Sequence, residues 1–152
     1  MMTDTHFMEL TLRYAEEAFA RGDWPVASII VQNGDVLGIG QNRQTTETDI
    51  TMHAETEAIR AAFRAHGPAT LAGATLYTTM EPCPMCAFAM KLAAIRRLVL
   101  GTRHATLRRT DLGTYSIEAF CAMVDYALEI TTGVREAETT ALRRRWGKDS
   151  VR

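Results

Sequence analysis

Apolar residues recur every three or four positions over residues 5–20, which places Phe7, Leu10, Tyr14, Ala18 and Phe19 on one side of a helix. Gly22 is positioned to end it. The period then changes. Val26 to Val31 is a short apolar run that stops at Asn33-Gly34, and Val36 to Gly40 follows. Both central residues of a type I′ turn need positive φ, so this dipeptide predicts an antiparallel hairpin. Helical spacing returns from His53 to His66, with Ala58, Ile59, Ala62 and Phe63 as the expected buried stripe and Gly67-Pro68 as the stop. Strands and helices alternate from there. Strands are predicted over Ala74 to Thr78, Arg97 to Gly101 and Leu128 to Thr132. Helices are predicted from Pro84 to Ala94, Ser116 to Tyr126 and Val134 to Trp146. A hairpin followed by helix–strand crossovers makes an α/β protein with a mixed five-stranded sheet and helices on its faces. No repeat or long linker divides the 152 residues, so residues 1–152 are expected to form a single domain.

Composition narrows the class. Apolar residues make up 47% and the formal net charge is -1, a balance that argues against disorder. No stretch approaches the ~20 apolar residues of a membrane span, so no membrane partner is expected. The start, Met1-Met2-Thr3-Asp4-Thr5-His6, has no basic region leading into an apolar run and does not read as a secretory signal. Three cysteines, Cys83, Cys86 and Cys121, are an odd set for a disulfide framework and point to a reducing, cytoplasmic setting. Proteins that grip nucleic-acid backbone tend to be basic, and this chain as a whole is not.

The chemistry concentrates in two short motifs. Cys83 and Cys86 are three apart at a predicted helix start, so one turn brings both sulfurs to the same side, where exposed N–H groups stabilise thiolates. His53 opens the preceding helix. One imidazole and two thiolates suit zinc, and three protein ligands leave a fourth tetrahedral position for water, the catalytic rather than the structural pattern. Glu55 is two residues beyond His53 and points elsewhere on the helix, so it is a candidate proton carrier beside that water rather than a fourth ligand. Cys121, in an apolar helix, reads as core. Arg143-Arg144-Arg145 reads as a solvated helix face, and Trp24 as a packing residue.

His53-Ala54-Glu55, placed thirty residues before Cys83, with Pro82-Cys83-Pro84-Met85-Cys86, resembles the zinc-dependent cytidine/deoxycytidylate deaminase superfamily. The resemblance extends from about Trp24 to the last helix. It implies a three-layer α/β/α cytidine deaminase-like fold, a Zn2+ ion held by His53, Cys83 and Cys86, and Glu55 as proton shuttle. The histidine ligand resembles the branch of guanine, cytosine, tRNA-adenosine and deoxycytidylate deaminases. Asn42, eleven residues before His53, matches the Asn with which relatives hydrogen-bond their substrate. The small Ala54 lets a base approach the backbone beside it.

The substrate is the open question at this level. Trp146-Gly147-Lys148-Asp149 resembles the end of fungal-type cytosine deaminases, which makes Trp146 and Asp149 candidate substrate contacts. His104 is a third candidate, weighed against a place in a surface loop. tRNA-adenosine deaminases carry a small-residue loop after the fourth strand, where this chain has Arg103-His104-Ala105-Thr106-Leu107-Arg108-Arg109-Thr110-Asp111. The expectation is therefore an enclosed small-molecule substrate, a free nucleobase or related aminated heterocycle of the guanine or cytosine type. The alternatives are tRNA adenosine, a nucleoside or a nucleotide. Arg103, Arg108 and Arg109 keep the tRNA reading open. A zinc-stabilised binding module without turnover has no use for Glu55. An apolar outer face on the helix after Cys86 (Phe88, Met90, Leu92) suits a homodimer.

Overall fold

The computed structural model describes residues 2–147. Helix α1 spans Asp4–Arg21, and strands β1 (Ala27–Gln32) and β2 (Asp35–Gln41) form the expected hairpin. Helices α2 (Ala54–His66) and α3 (Pro68–Leu71) lead to β3 (Thr75–Met80). Then come α4 (Pro84–Leu92), β4 (Arg97–Thr102), α5 (Ile117–Met123), β5 (Glu129–Thr131) and α6 (Glu136–Trp146). Local chemistry sets several boundaries. The Thr3 hydroxyl accepts the His6 N–H at 3.3 Å and caps α1. Gly22 ends that helix at φ 95°, and Asn33 and Gly34 take φ 53° and 85° as the turn requires.

The strand order is β2-β1-β3-β4-β5, with β1 antiparallel to both its neighbours and β3, β4 and β5 parallel. Alternate side chains serve opposite faces. Ile29, Val31, Tyr77 and Val99 pack with Phe7 and Met8 of α1. Ile30, Leu76, Leu98 and Leu100 pack with Ala58 and Ala62 of α2, Ala87 and Met90 of α4, and Phe120 of α5. This is the predicted three-layer α/β/α arrangement. Among the described residues no helix is long and apolar enough to cross a membrane.

Some details differ from expectation. Pro68 stops α2 but also starts α3, because its fixed φ suits a first helical position. The buried stripe of α2 is Ala54, Glu55, Ala58 and Ala62, while Phe63 is 46% exposed. The cause is the closeness of α2 to β2. A Cβ on Gly40 would lie 1.9 Å from Ala54 O, and one on Gly38 would lie 2.5 Å from Ala58 O. Such an approach admits only small residues beneath the helix, so Phe63 turns outward. Met90 is buried in the core, whereas Phe88 and Leu92 are exposed. Cys121 is only half-buried, at the margin of the larger core.

Candidate active site

The topology gathers the chemistry at one end of the sheet. β3 and β4 run parallel and both deliver their carboxyl ends there, with Met80 opposite Thr102. The antiparallel hairpin brings Ala27 and Gln41 to the same end. Ligands of α/β sheets commonly bind outside such carboxyl ends.

His53 is the N-cap of α2 and Cys83 the N-cap of α4, both in extended conformation, and Pro84 follows at the first helical position. Cys86 lies one turn on. The two helix starts sit side by side, so His53 Nδ1 is 3.4 Å from Cys83 Sγ and 3.6 Å from Cys86 Sγ. A tetrahedral zinc with bonds of about 2.3 Å to sulfur and about 2.05 Å to nitrogen requires an N–S edge of roughly 3.6 Å. The spacing and the donor set therefore fit zinc, and the ligand atoms of the three residues lie within 4.8 Å of one another. Hydrogen bonding from Cys86 holds the Cys83 thiol down at about 4 against the opposing effect of burial, and the His53 ring adds to the lowering.

Glu55 is 3% exposed, with Oε2 3.5 Å from Cys86 Sγ. Burial pushes its carboxyl up to about 7; the His53 ring opposes the shift and Cys83 adds to it. A carboxyl group poised near neutrality is suited to accepting and returning a proton.

Glu55, His53 and Cys83 open onto a cleft whose walls also include Asn42, Ala54, Glu81, His104, Arg109 and Arg143, while Cys86 is buried beneath it. Three of the predicted substrate contacts, Asn42, Ala54 and His104, are thus together. Asn42 is buried and steadied by its neighbour: its Oδ1 accepts the Gln44 N–H at 3.0 Å and its Nδ2 donates to Gln44 Oε1 at 2.8 Å. The loop beyond is anchored by Asp23, which accepts from the backbone N–H groups of Thr45 and Thr46, both at 2.9 Å, and from Arg21 Nε at 2.7 Å. Burial tends to raise the Asp23 pKa, but these bonds outweigh it and hold the carboxyl below the usual range.

His104 is buried rather than in a surface loop. Arg109 donates to its Nδ1 at 3.4 Å, which leaves Nε2–H to donate to Pro82 O, also at 3.4 Å. Burial lowers its pKa, with the nearby Glu81 carboxylate opposing the shift and Arg109 adding to it.

The sequence reading missed Glu81. Its Oε1 accepts the His104 N–H at 3.1 Å and its Oε2 accepts the Ile117 N–H at 3.0 Å, tying the β3–α4 connection to the start of α5. Its position beside Pro82-Cys83 was the available signal. Arg143 was also misread: it is 3% exposed, and its guanidinium lies 4.4 Å from the centre of the Trp24 ring. Trp146 is not part of the cleft wall. It sits behind Trp24, with ring centroids 5.6 Å apart, and meets Phe19 at 5.9 Å. The last turn of α6 rotates Arg143 toward the cleft, and Trp146, three residues on, packs behind it. Asp149, the remaining candidate, lies outside the described residues.

Comparison with known proteins bears on this geometry. The profile of the cytidine and deoxycytidylate deaminase zinc-binding region matches residues 1–102. The chain is 35% identical over 150 residues to a tRNA-specific adenosine deaminase of Agrobacterium fabrum, a match covering 98% of this chain and 97% of the relative. A structure from work on A-to-I editing by tRNA:A34 deaminases superposes with a TM-score of 0.77 at 36% identity, covering 91% of this chain and 99% of the other. A Bacillus subtilis guanine deaminase is 35% identical, with a TM-score of 0.64, but covers 68% of this chain and 67% of its own. The end-to-end likeness to a tRNA-specific enzyme overturns the expectation of a free nucleobase as substrate and a small molecule as partner.

Proposed function

Since the chain belongs to the cytidine and deoxycytidylate deaminase family, whose members are zinc-dependent aminohydrolases, we propose that it deaminates adenosine within tRNA. The observation that carries this reading is the 35% identity, over nearly the whole of both chains, to the Agrobacterium fabrum tRNA-specific adenosine deaminase.

The residues take the following parts. His53, Cys83 and Cys86 would hold the zinc ion. Zinc bound there would supply an acidified water, with a pKa near 7. Glu55 moves the two protons of the attacking water in turn, the first to the ring nitrogen as oxygen adds and the second, from the added hydroxyl, to the leaving amine. The exocyclic amine departs as ammonia and a carbonyl takes its place, converting adenosine to inosine. Asn42 orients the base edge through its amide, the small Ala54 allows the ring close to the backbone, and His104 presents a fixed tautomer at the opposite wall. A base flipped out of its strand can reach such a cleft. The reading is consistent with a cytoplasmic protein. The exposed Met85, Phe88 and Leu92 of α4 support a homodimer, which sedimentation of the wild type against Leu92→Glu tests.

The decisive experiment offers the zinc-loaded protein an anticodon-stem hairpin containing adenosine, and separately adenine, guanine, cytosine and their nucleosides. Inosine in the hairpin with no release of ammonia from the free compounds is expected. Turnover of a free base with an untouched hairpin overturns the reading.

A further inference from the structure

Two arginines come into the cleft from elements far apart in sequence. Arg109, in the connection between β4 and α5, has a side chain only 8% exposed, and Arg143, in α6, is 3% exposed. Both share the cleft with Asn42 and Glu55. An uncharged nucleobase has no need of two guanidinium groups beside it. A nucleotide within a strand brings a phosphodiester on each side, and the planar N–H fork of arginine matches that group.

Each guanidinium is held in place by other means. Asp111 grips Arg109 through Nε at 3.0 Å and through a terminal nitrogen at 2.5 Å, while the other terminal nitrogen meets His104. Arg143 is oriented by a stack that runs outward across α6 and α1. Its guanidinium lies over Trp24, Trp24 packs on Trp146, Trp146 on Phe19, and the guanidinium of Arg145 lies 4.9 Å from the Phe19 ring centre. Stacking of this kind fixes a guanidinium through its face rather than through its N–H edge. Trp146 therefore acts on the cleft indirectly, as a positioning residue behind Arg143.

We propose that Arg109 and Arg143 form a phosphate subsite that receives a backbone phosphate flanking the target adenosine. The subsite rests on the tRNA reading and deepens it. It also bears on the net charge of -1: two guanidinium groups are placed inside the cleft, where the polyanion is to be met, whatever the overall balance. Among the described residues the carboxylates near the pair are Glu55, Glu81 and Asp111: Glu81 accepts from the His104 and Ile117 N–H groups, and Asp111 pairs with Arg109 itself, so an incoming phosphate competes with Asp111 for that guanidinium.

The test measures hairpin affinity as a function of salt for the zinc-loaded wild type, Arg109→Gln, Arg143→Gln and Arg143→Lys. Each Gln variant should bind about tenfold more weakly, and its slope of log affinity against log salt should be shallower by about 0.7–0.9, the loss of one phosphate contact. Arg143→Lys should retain the slope. A hairpin with one methylphosphonate beside the target adenosine, at the 5′ or the 3′ position, should cost the wild type at least the same tenfold and cost the double variant Arg109→Gln/Arg143→Gln nothing further. That arm needs no variant to fold: a wild type indifferent to the neutral linkage at both positions overturns the subsite. So do wild-type slopes in both Gln variants while the hairpin is still deaminated. A wild type that neither binds nor deaminates the hairpin sinks the tRNA reading itself, and the subsite with it.

Discussion

The two walls of the cleft are assembled on different plans. One comes from the starts of α2 and α4, where His53, Glu55, Cys83 and Cys86 each lie within a turn of a helix N-terminus. Their mutual geometry follows once two helices are laid side by side on one face of the sheet. The other wall comes from His104 and Arg109 in a long connection and Arg143 near the end of the chain. Within the connection Arg109 is tied to His104, and Glu81, Asp111 and the Trp24 stack hold these two and Arg143 in place. In the proposed reaction the first wall carries the bond-breaking chemistry, and the second addresses what is delivered to it.

If that division is right, damage to the two walls has different signatures. Cys83→Ala has the largest expected effect: zinc is lost and ammonia release falls to background, because two ligands cannot hold the ion in a tetrahedral site. Metal analysis of the purified variant checks this, and a full zinc content would remove Cys83 from the ligand set. Glu55→Gln comes next. It should keep its zinc and lower kcat by at least ~10²-fold with little change in hairpin affinity. A variant turning over at the wild-type rate would leave Glu55 without its assigned role. Substitutions on the opposite wall should do the reverse, weakening binding while zinc stays put.

The same division explains what could be read from the chain. The hairpin, the five strands and the metal-type wall were legible because each depends on short-range rules: turn chemistry at Asn33-Gly34, period-2 and period-3.6 patterns, and ligand spacing within one helical turn. Phe63 was misplaced because its exposure depends on how closely α2 approaches β2, which two glycines on another element, Gly38 and Gly40, decide. Arg143 looked like one of three equivalent arginines. Only the packing of α6 against Trp24 singles it out. The loop beginning at Arg103 was read by its departure from a small-residue pattern, which pointed away from tRNA. The structure gives that departure a different meaning by turning Arg109 into the cleft.

The glycine contact yields a third, smaller effect. Gly40→Ala places a methyl group against the backbone of Ala54 and Ala58, at 1.9 and 2.4 Å from Ala54 O and Ala58 N. Backbone cannot swing aside as a flexible side chain can, so α2 must shift, at a cost of about 1–3 kcal/mol. His53 and Glu55 ride on that helix. Urea unfolding should show the loss of stability, and zinc affinity should fall with it. An unchanged midpoint with unchanged zinc affinity would mean that the α2–β2 approach does not set the first wall.

The smallest effect lies on the other face of the sheet, away from both walls. Asp4 accepts two bonds from Arg97, at 2.8 and 2.6 Å, and one from the Tyr77 hydroxyl at 2.7 Å. The Arg97 bond holds the Asp4 carboxyl below its ordinary range, with burial opposing and Tyr77 assisting. A carboxyl whose folded pKa is depressed contributes stability that is present above its unfolded value, about 3.9, and is lost as the pH falls through the folded value. Both partners are partly solvated, with side chains 26% and 29% exposed, so the contribution is only about 1 kcal/mol. Asp4→Asn should therefore lower stability by that amount at pH 7 and converge on the wild type in acid, as urea unfolding across pH would record. Because α1 touches neither wall through Asp4, kcat, hairpin affinity and zinc content should all stay at wild-type values. A change in any of them would show that the helix layer on this face is mechanically coupled to the cleft, and would break the separation of stability from function on which the comparison of the two walls depends.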